Sequence, residues 1–482
     1  MTNRAIDNES RTPNDLHDLI HDNLRLAIEY LPVQEIKLPE RRLRKHSDRQ
    51  IVGIKASIST FGLVAPLVID RDHVVIDGEA VLEAARELGL AKVPVVRLDH
   101  LGEHERRLLR LTLNKLATMA DWNQPELKLE LIELLDVASE VSIEVTGFAL
   151  AEIDEIVSEA DGEELGPGGL PEPVEDGPAI SNIGDLWCLG DHRLLCGSSL
   201  ERASFELLLG SEQARMVLTD SPYNVKIGGN VSGLGKKTHR EFVQGSGEFS
   251  KSEFAAFQID SIGLHADFCC DGALLYLFMD WKHGGEMYNA VAANNLTMVN
   301  VAVWVKSAGA MGSLYRSQHE LVFIAKKGTA PHRNCVQLGK FGRYRTNAWI
   351  YPGMNSFGRN RNELLQMHPT CKNLMMFEDA IRDVTHRGEI VLDGFAGSGT
   401  TIIAAEKTGR LARAIELDPL YVDCIIRRWE KFSSIPARLG SPAGPTFADV
   451  TSRRIQSDEP LPGAKPAPPR TELVARPRRR AS

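Results

Sequence analysis

The sequence predicts an α/β protein of two domains, and three observations carry that reading. Late in the chain, "EIVLDGFAGSGTTIIAAEKTGRLARAIELD" runs from a buried-type strand through a Gly-rich turn into a helix and on to a second strand, a β-α-β unit. Early in the chain, "APLVID" and "HVVIDG" read as alternating short strands, followed by the amphipathic helix "GEAVLEAARELGL". Between the two regions lies "DGEELGPGGLPEPVEDGPA", acidic and too poor in apolar residues to pack, which reads as a linker. A chain of 482 residues also exceeds what one core comfortably holds.

Taken in order, residues 1–30 are polar and predicted to be frayed, and residues 31–135 form a small α/β domain. Its two strands turn at Asp70-Arg71-Asp72, its helix stops at Gly89, and "KVPVVRLD" adds a further strand. The helical runs "EHERRLLRLTLNKLATMA" and "QPELKLELIELLDVASE" follow, and "ALAEIDEIVSEA" continues a helical extension over residues 136–160. The linker occupies residues 161–182. A larger domain, residues 183–432, opens with two strand-like runs around Gly190-Asp191 and contains the β-α-β unit. Residues 433–482 are Pro- and Arg-rich and predicted to be disordered.

Composition narrows the class. With 43% hydrophobic and 25% charged residues the chain reads as an ordinary soluble protein, and no stretch reaches the ~20 apolar residues of a membrane span. The start "MTNRAIDNES" has no apolar h-region, so no secretory signal is expected. Seven cysteines without C-x-x-C spacing suit reduced thiols in a cytoplasm and give no metal set. The adjacent His319-Glu320 pair sits on an expected strand, where neighbours face opposite ways, and is read as non-metal.

The net charge of −9 is segregated. Between Lys306 and Arg361 there are ten Lys/Arg against one acid, Glu320. Tyr315, Phe341, Tyr344, Trp349 and Tyr351 are interleaved with those cations, a combination suited to a polyanion whose bases can stack. Lys306, Arg316, Lys340, Arg343, Arg345, Arg359 and Arg361 are the candidate contacts to such a polyanion, a solvated basic face being the alternative.

The Gly-rich turn lets the backbone approach a ligand, and the helix it opens offers free N–H groups. Glu416, at the end of the second strand, can accept hydrogen bonds from ribose hydroxyls. Together they point to a nucleoside cofactor, although the spacing Gly394-Phe-Ala-Gly397-Ser-Gly399 is not the dinucleotide G-x-G-x-x-G.

These stretches, in their order, resemble the β group of S-adenosylmethionine-dependent DNA amino-methyltransferases over residues 183–432. "TDSPYN" is similar to the catalytic D-P-P-Y, "MHPTCKN" to H-P-T-x-K-P, and "DGFAGSGTT" to D-P-F-x-G-S-G-T-T. The resemblance implies a Rossmann-like domain in circularly permuted motif order, S-adenosylmethionine as cofactor and duplex DNA as partner. It implies catalytic roles for Asp220, Ser221, Pro222 and Tyr223. Cofactor contacts fall to Asp393, Phe395, Ala396, Gly397, Ser398, Gly399, Thr400 and Glu416, with Thr370 and Lys372 near the methionine carboxylate. Phe395 lies by the adenosine or the target base on this reading, or in the core on a plainer one. The aspartate heading the loop favours N6 of adenine, and N4 of cytosine is the alternative. No P-D…E-x-K cleavage motif accompanies the domain.

The sequence departs from the family pattern at Ser221, Gly394 and Asn373, each in place of a proline, and at Ser198, in place of an acid near the cofactor adenine. These departures leave a degenerate DNA-binding protein as a further reading. The N-terminal domain resembles the ParB-like fold, with Gly78-Glu79-Ala80-Val81 where the family has G-E-R-R or G-H-x-R. Without the paired arginines the resemblance implies DNA positioning or homodimer formation rather than nucleotide hydrolysis, and Gly78 and Glu79 could equally serve packing.

Overall fold

The computed structural model describes residues 26–136, 141–158, 178–225, 247–307, 309, 314–338, 345–352 and 372–456. They divide into two compact units on either side of Gly162.

The first unit holds β1 (Ile28–Pro32), α1 (Asp48–Phe61), β2 (Leu67–Asp70), β3 (Val75–Asp77), α2 (Glu79–Glu87), β4 (Lys92–Leu98), α3 (Glu103–Leu116), α4 (Gln124–Asp136) and α5 (Leu150–Ser158). Its sheet runs β1-β4-β2-β3, with β2 parallel to β4 and the other pairs antiparallel. Ile36, Leu67, Ile69, Val75, Leu82, Val93 and Val95 form its core. The turn between β2 and β3 is held by Asp70, whose carboxylate accepts the N–H groups of Asp72 and Val74 at 2.9 and 2.8 Å and pairs with Arg106. Gly78 is required by packing: its φ is +97°, and a Cβ there would lie 2.5 Å from Leu67 Cδ2. Glu79 sits beside Arg42 at 3.7 Å.

The second unit is a doubly wound sheet. Its elements are β5 (Leu186–Leu189), β6 (His192–Cys196), α6 (Arg202–Leu209), β7 (Ala214–Thr219), α7 (Lys251–Asp267), β8 (Cys269–Met279), α8 (Gly284–Ala293), β9 (Thr297–Val305), β10 (His319–Lys326) and β11 (Ala348–Ile350). There follow α9 (Leu374–Val384), β12 (Ile390–Asp393), α10 (Thr400–Thr408), β13 (Leu411–Glu416), α11 (Pro419–Ser433), β14 (Arg438–Leu439) and α12 (Phe447–Gln456). The strand order is β11-β9-β10-β8-β7-β12-β13-β6-β5-β14. The central run β8-β7-β12-β13-β6 is parallel.

Strand alternation divides the core between the two faces. Val217 packs with Phe205, Phe254 and Met287 of α6, α7 and α8, whereas Met216 and Leu218 pack with Met376 and Phe377 of α9. From β7 the chain winds outward through α7 to β8, and from β12 through α10 to β13 in the opposite direction. The carboxyl ends of β7 and β12 therefore flank the switch point of the sheet, where doubly wound folds keep their ligands.

Two expected boundaries move. Within residues 433–482, β14 pairs with β5, and α12 brings Phe447 and Val450 into the core, so the folded unit reaches Gln456. Phe447 meets Trp187 edge-on at 5.4 Å, and Arg454 pairs with Asp185 at 2.6 Å. The linker ends earlier than expected as well. Ile180 and Ser181 are buried, and their N–H groups donate to Asp423 at 2.7 and 2.9 Å. These segments are short, and only their tertiary partners give them structure.

Candidate active site

Asp220 leaves the end of β7 beside the Gly-rich loop that leaves β12. The two loops are joined through Asp393, which accepts from Thr219 at 2.8 Å, from Thr401 at 2.6 Å and from the Phe395 N–H at 3.1 Å. Burial pushes the Asp393 carboxyl up to about 6 against those three donors. Asp393, the residue expected at the cofactor, ties β7, β12 and α10 together.

Around Asp220 two acids and two lysines converge. Lys372 Nζ lies 3.1 Å from Asp220 Oδ2 and 2.5 Å from Glu320 Oε2, and Lys306 closes on the other oxygen of Glu320. Tyr223 donates its hydroxyl to Asp220 Oδ1 at 2.7 Å, with Glu320 Oε2 at 3.2 Å. The Lys372 ammonium stands 5.4, 5.2 and 5.5 Å from the ring centres of Tyr223, Phe278 and Trp304. Such a box favours a cation.

The carboxyls of this cluster move in opposite directions. Burial raises Asp220, with Lys372 pulling against it and Glu320 adding to it. Burial also pushes Glu320 up, but Lys372 and Lys306 outweigh it and hold the carboxyl down to about 2. Glu320 faces two cations and Asp220 one, so Glu320 keeps the negative charge more firmly.

Glu320 has no role in the sequence reading beyond the metal question. Its signal was its standing as the lone acid in a segment of ten cations. Lys372, expected near a cofactor carboxylate, has its ammonium between Asp220 and Glu320. Lys306, expected at DNA, is committed to Glu320.

Each proline departure has a local partner. Ser221 is buried, and its hydroxyl lies 3.2 Å from the side-chain amide of Gln258 on α7. Gly394 faces His265, also on α7: a Cβ on Gly394 would lie 2.2 Å from His265 Nε2. That imidazole is buried, its Nδ1 hydrogen-bonds the Ser261 carbonyl at 2.7 Å, and burial holds it neutral, down to about 4. Asn373 caps α9 by accepting the Met376 N–H at 3.1 Å and donates to the Pro352 carbonyl at 3.1 Å. Ser198 accepts the Leu200 N–H at 3.2 Å.

The Gly-rich loop combines open backbone with a half-buried acid. Gly397 has φ +53° and open space where a Cβ would stand, its nearest neighbour being the Phe395 carbonyl at 3.9 Å. Gly399, at φ +76°, caps α10, and a Cβ there would strike Ile425 at 2.8 Å. Glu416 accepts the Gly397 and Asp418 N–H groups at 2.8 and 2.9 Å. Burial nevertheless pushes its carboxyl up to about 7, so further donors from a ligand would be welcome.

Ala396 and Thr400 are buried in the loop. Ser398 and Thr400 hydroxyls lie 3.2 Å apart, and Arg428 donates to the Ser398 carbonyl at 2.8 Å. Phe395 is half-buried against Phe257 and His265, at 5.9 and 6.1 Å, the plainer of its two readings.

The expected DNA contacts separate. Tyr315 and Arg316 are exposed. Arg345 is taken up by Asp379 and Asp383 at 2.9 and 3.0 Å and by the Tyr351 hydroxyl at 2.7 Å, and Trp349 is buried in the core. Lys340, Arg343, Arg359, Arg361 and Thr370 lie outside the described residues. Among the described residues no helix is long and apolar enough to cross a membrane.

The DNA methylase family matches residues 214–427, which include both loops. DNA adenine methyltransferase YhdJ of Escherichia coli K12 is 29% identical over 161 residues, 32% of this chain and 49% of that protein. The ParB-like nuclease domain-containing protein YnaK of the same organism is 32% identical over 83 residues, 17% of this chain and 95% of that protein. The solved PvuII DNA methyltransferase, cytosine-N4-specific, is 15% identical with a TM-score of 0.37, covering 58% of this chain and 93% of that one. Residues 214–427 thus carry a domain that matches the N6/N4 DNA methylase model, and the first unit belongs to the ParB-like family. It spans about half the length of the curated methylase relatives it matches. S-adenosylmethionine is the cofactor of the methylase family.

Proposed function

We propose that the protein methylates the exocyclic N6 of adenine in duplex DNA. The observation that carries this reading is Asp220 at the switch point of the sheet, next to the Gly-rich loop and within hydrogen-bond reach of Tyr223. Bound S-adenosylmethionine supplies an electrophilic methyl group. Gly397, Gly399 and Glu416 would hold it, with the first turn of α10 offering N–H groups.

The residues of the chain make the base nitrogen reactive. Its lone pair is delocalised into the ring, so it is a weak nucleophile. Asp220 accepts one of its N–H groups and the backbone carbonyl of Ser221 the other, which draws the nitrogen toward tetrahedral geometry and localises the lone pair. A serine presents that carbonyl as well as a proline does. Pro222 restricts the backbone before it and aims the carbonyl. As the N–C bond forms and the methyl–sulfur bond breaks, Asp220 balances the positive charge on the nitrogen, an electrostatic role, and it is placed to accept the proton that the methylated nitrogen then loses. The Tyr223 ring offers a face to a base turned out of the duplex. Tyr315 and Arg316 offer an exposed ring and cation to the strand.

The partners found for Ser221, Gly394 and Asn373 support a working site over a degenerate one. The test incubates the full chain with duplex DNA and methyl-labelled S-adenosylmethionine, then identifies the modified nucleoside. N6-methyladenine from the wild type and none from Asp220→Ala is the expected result. N4-methylcytosine would transfer the same chemistry to the other base. Absence of label across varied DNA sequences, with cofactor near saturation, would overturn the reading.

A further inference from the structure

We propose that Glu320, backed by Lys306, is a positioning residue that draws Lys372 away from Asp220 and so frees the acceptor that the base needs. This rests on the methyl-transfer reading above. Both oxygens of Asp220 are engaged, Oδ1 by the Tyr223 hydroxyl at 2.7 Å and Oδ2 by Lys372 at 3.1 Å. Each oxygen keeps a second lone pair, so a base amino group docks in competition with these donors, and most of all with the charged one.

Both donors have a second acceptor in Glu320 Oε2, the Tyr223 hydroxyl at 3.2 Å and Lys372 at 2.5 Å, and Lys372 is the charged one. Its side chain is 7% exposed, so it needs an anion wherever it rests. Glu320 already offers one at 2.5 Å, and the three surrounding rings leave the ammonium a short path between the two carboxylates. Without Glu320, Asp220 would be the carboxylate left against this cation among the described residues, and the two would pair more tightly. Lys306, at the end of β9, holds Glu320 in place from the far side. The four groups are balanced, two positive and two negative, so removing either outer member tilts the inner pair in a definite direction.

The groups that bear on Asp220 come from several elements. Lys372 reaches it from the segment before α9, Glu320 from β10, Tyr223 from its own loop and Asp393 from the end of β12. Glu320 raises the Asp220 carboxyl and Lys372 lowers it. Glu320→Gln therefore lowers the Asp220 midpoint. Lys306→Met acts in the opposite sense: Glu320, freed of one cation, competes harder for Lys372, and the Asp220 midpoint rises.

The test is a carboxyl-carbon NMR titration of the full chain labelled at aspartate, with neither DNA nor cofactor present. The Asp220 signal is assigned by its loss in Asp220→Asn. A midpoint lower than wild type in Glu320→Gln and higher in Lys306→Met is the expected pair of results. Coulomb's law alone gives these opposite signs, so the deciding comparison repeats Glu320→Gln in a Lys372→Met background: a clearly smaller shift there is expected if Glu320 acts through Lys372, and an equal shift in both backgrounds, or none in either, would overturn the proposal. With duplex DNA and S-adenosylmethionine, Glu320→Gln should lower kcat by about 100-fold, the scale of a misplaced reacting group, at unchanged cofactor Kd. A wild type that methylates nothing would sink the functional reading, while the titration still decides the Lys372 arrangement.

Discussion

The Ser221 hydroxyl and the Gln258 side-chain amide, 3.2 Å apart and both buried, bind the loop after β7 to α7. A second proline would restrict this stretch covalently, whereas here a hydrogen bond does so. Gln258→Leu leaves the hydroxyl buried without that partner and should cost about 1–3 kcal/mol in urea unfolding. Adding Ser221→Ala removes the other partner too and should recover much of that loss. If the two changes simply add, the pair is not coupled.

The same helix answers for the cofactor loop. His265 fills the space into which any side chain at position 394 would grow, with 2.2 Å between its Nε2 and a Cβ placed there. Gly394→Ala in the wild type should therefore cost roughly 1–3 kcal/mol by overpacking. In a His265→Ala background, itself weakened by a cavity beside Phe205 and Phe395, the same change should cost little or become stabilising. Thermal and urea unfolding of the four proteins give the coupling, and an equal cost in both backgrounds would refute the contact.

How much of this could be read beforehand depended on how local each feature is. The β-α-β unit was legible because its strands, turn glycines and terminal acid lie in one run, and Gly399 and Glu416 can be interpreted from their neighbours in sequence. Glu320 was not: its meaning comes from Lys372, 52 positions away, and the hydrogen bond between them joins a strand to a helix-leading loop. Gln258 and His265 were silent because a polar residue on a largely buried helix carries no periodic signal. Phe447 and Arg454 stood in a Pro- and Arg-rich stretch whose composition masked their burial against Trp187 and Asp185. Trp349 and Arg345 erred the other way, since aromatic and basic residues in alternation suit a core edge with buried acids as well as a DNA face.

Glu416 gives the site a pH dependence of defined sign. Burial pushes its carboxyl up from 4.5 to about 7. In the free protein this contributes stability that is full below 4.5 and lost as pH rises through 7. Ribose hydroxyls donating to the carboxylate would favour its charged form, so cofactor binding should release a proton near neutrality. Affinity for S-adenosylmethionine should then strengthen as pH rises from 6 to 8, by at most about tenfold per unit below the midpoint, and level off above it. Calorimetry at pH 6.5 in two buffers of different ionisation enthalpy measures the proton directly. Glu416→Gln should bind more weakly and release none from this position, which flattens the profile. A wild-type affinity that weakens with rising pH would mean the acid binds in its protonated form, donating to the ribose rather than accepting from it.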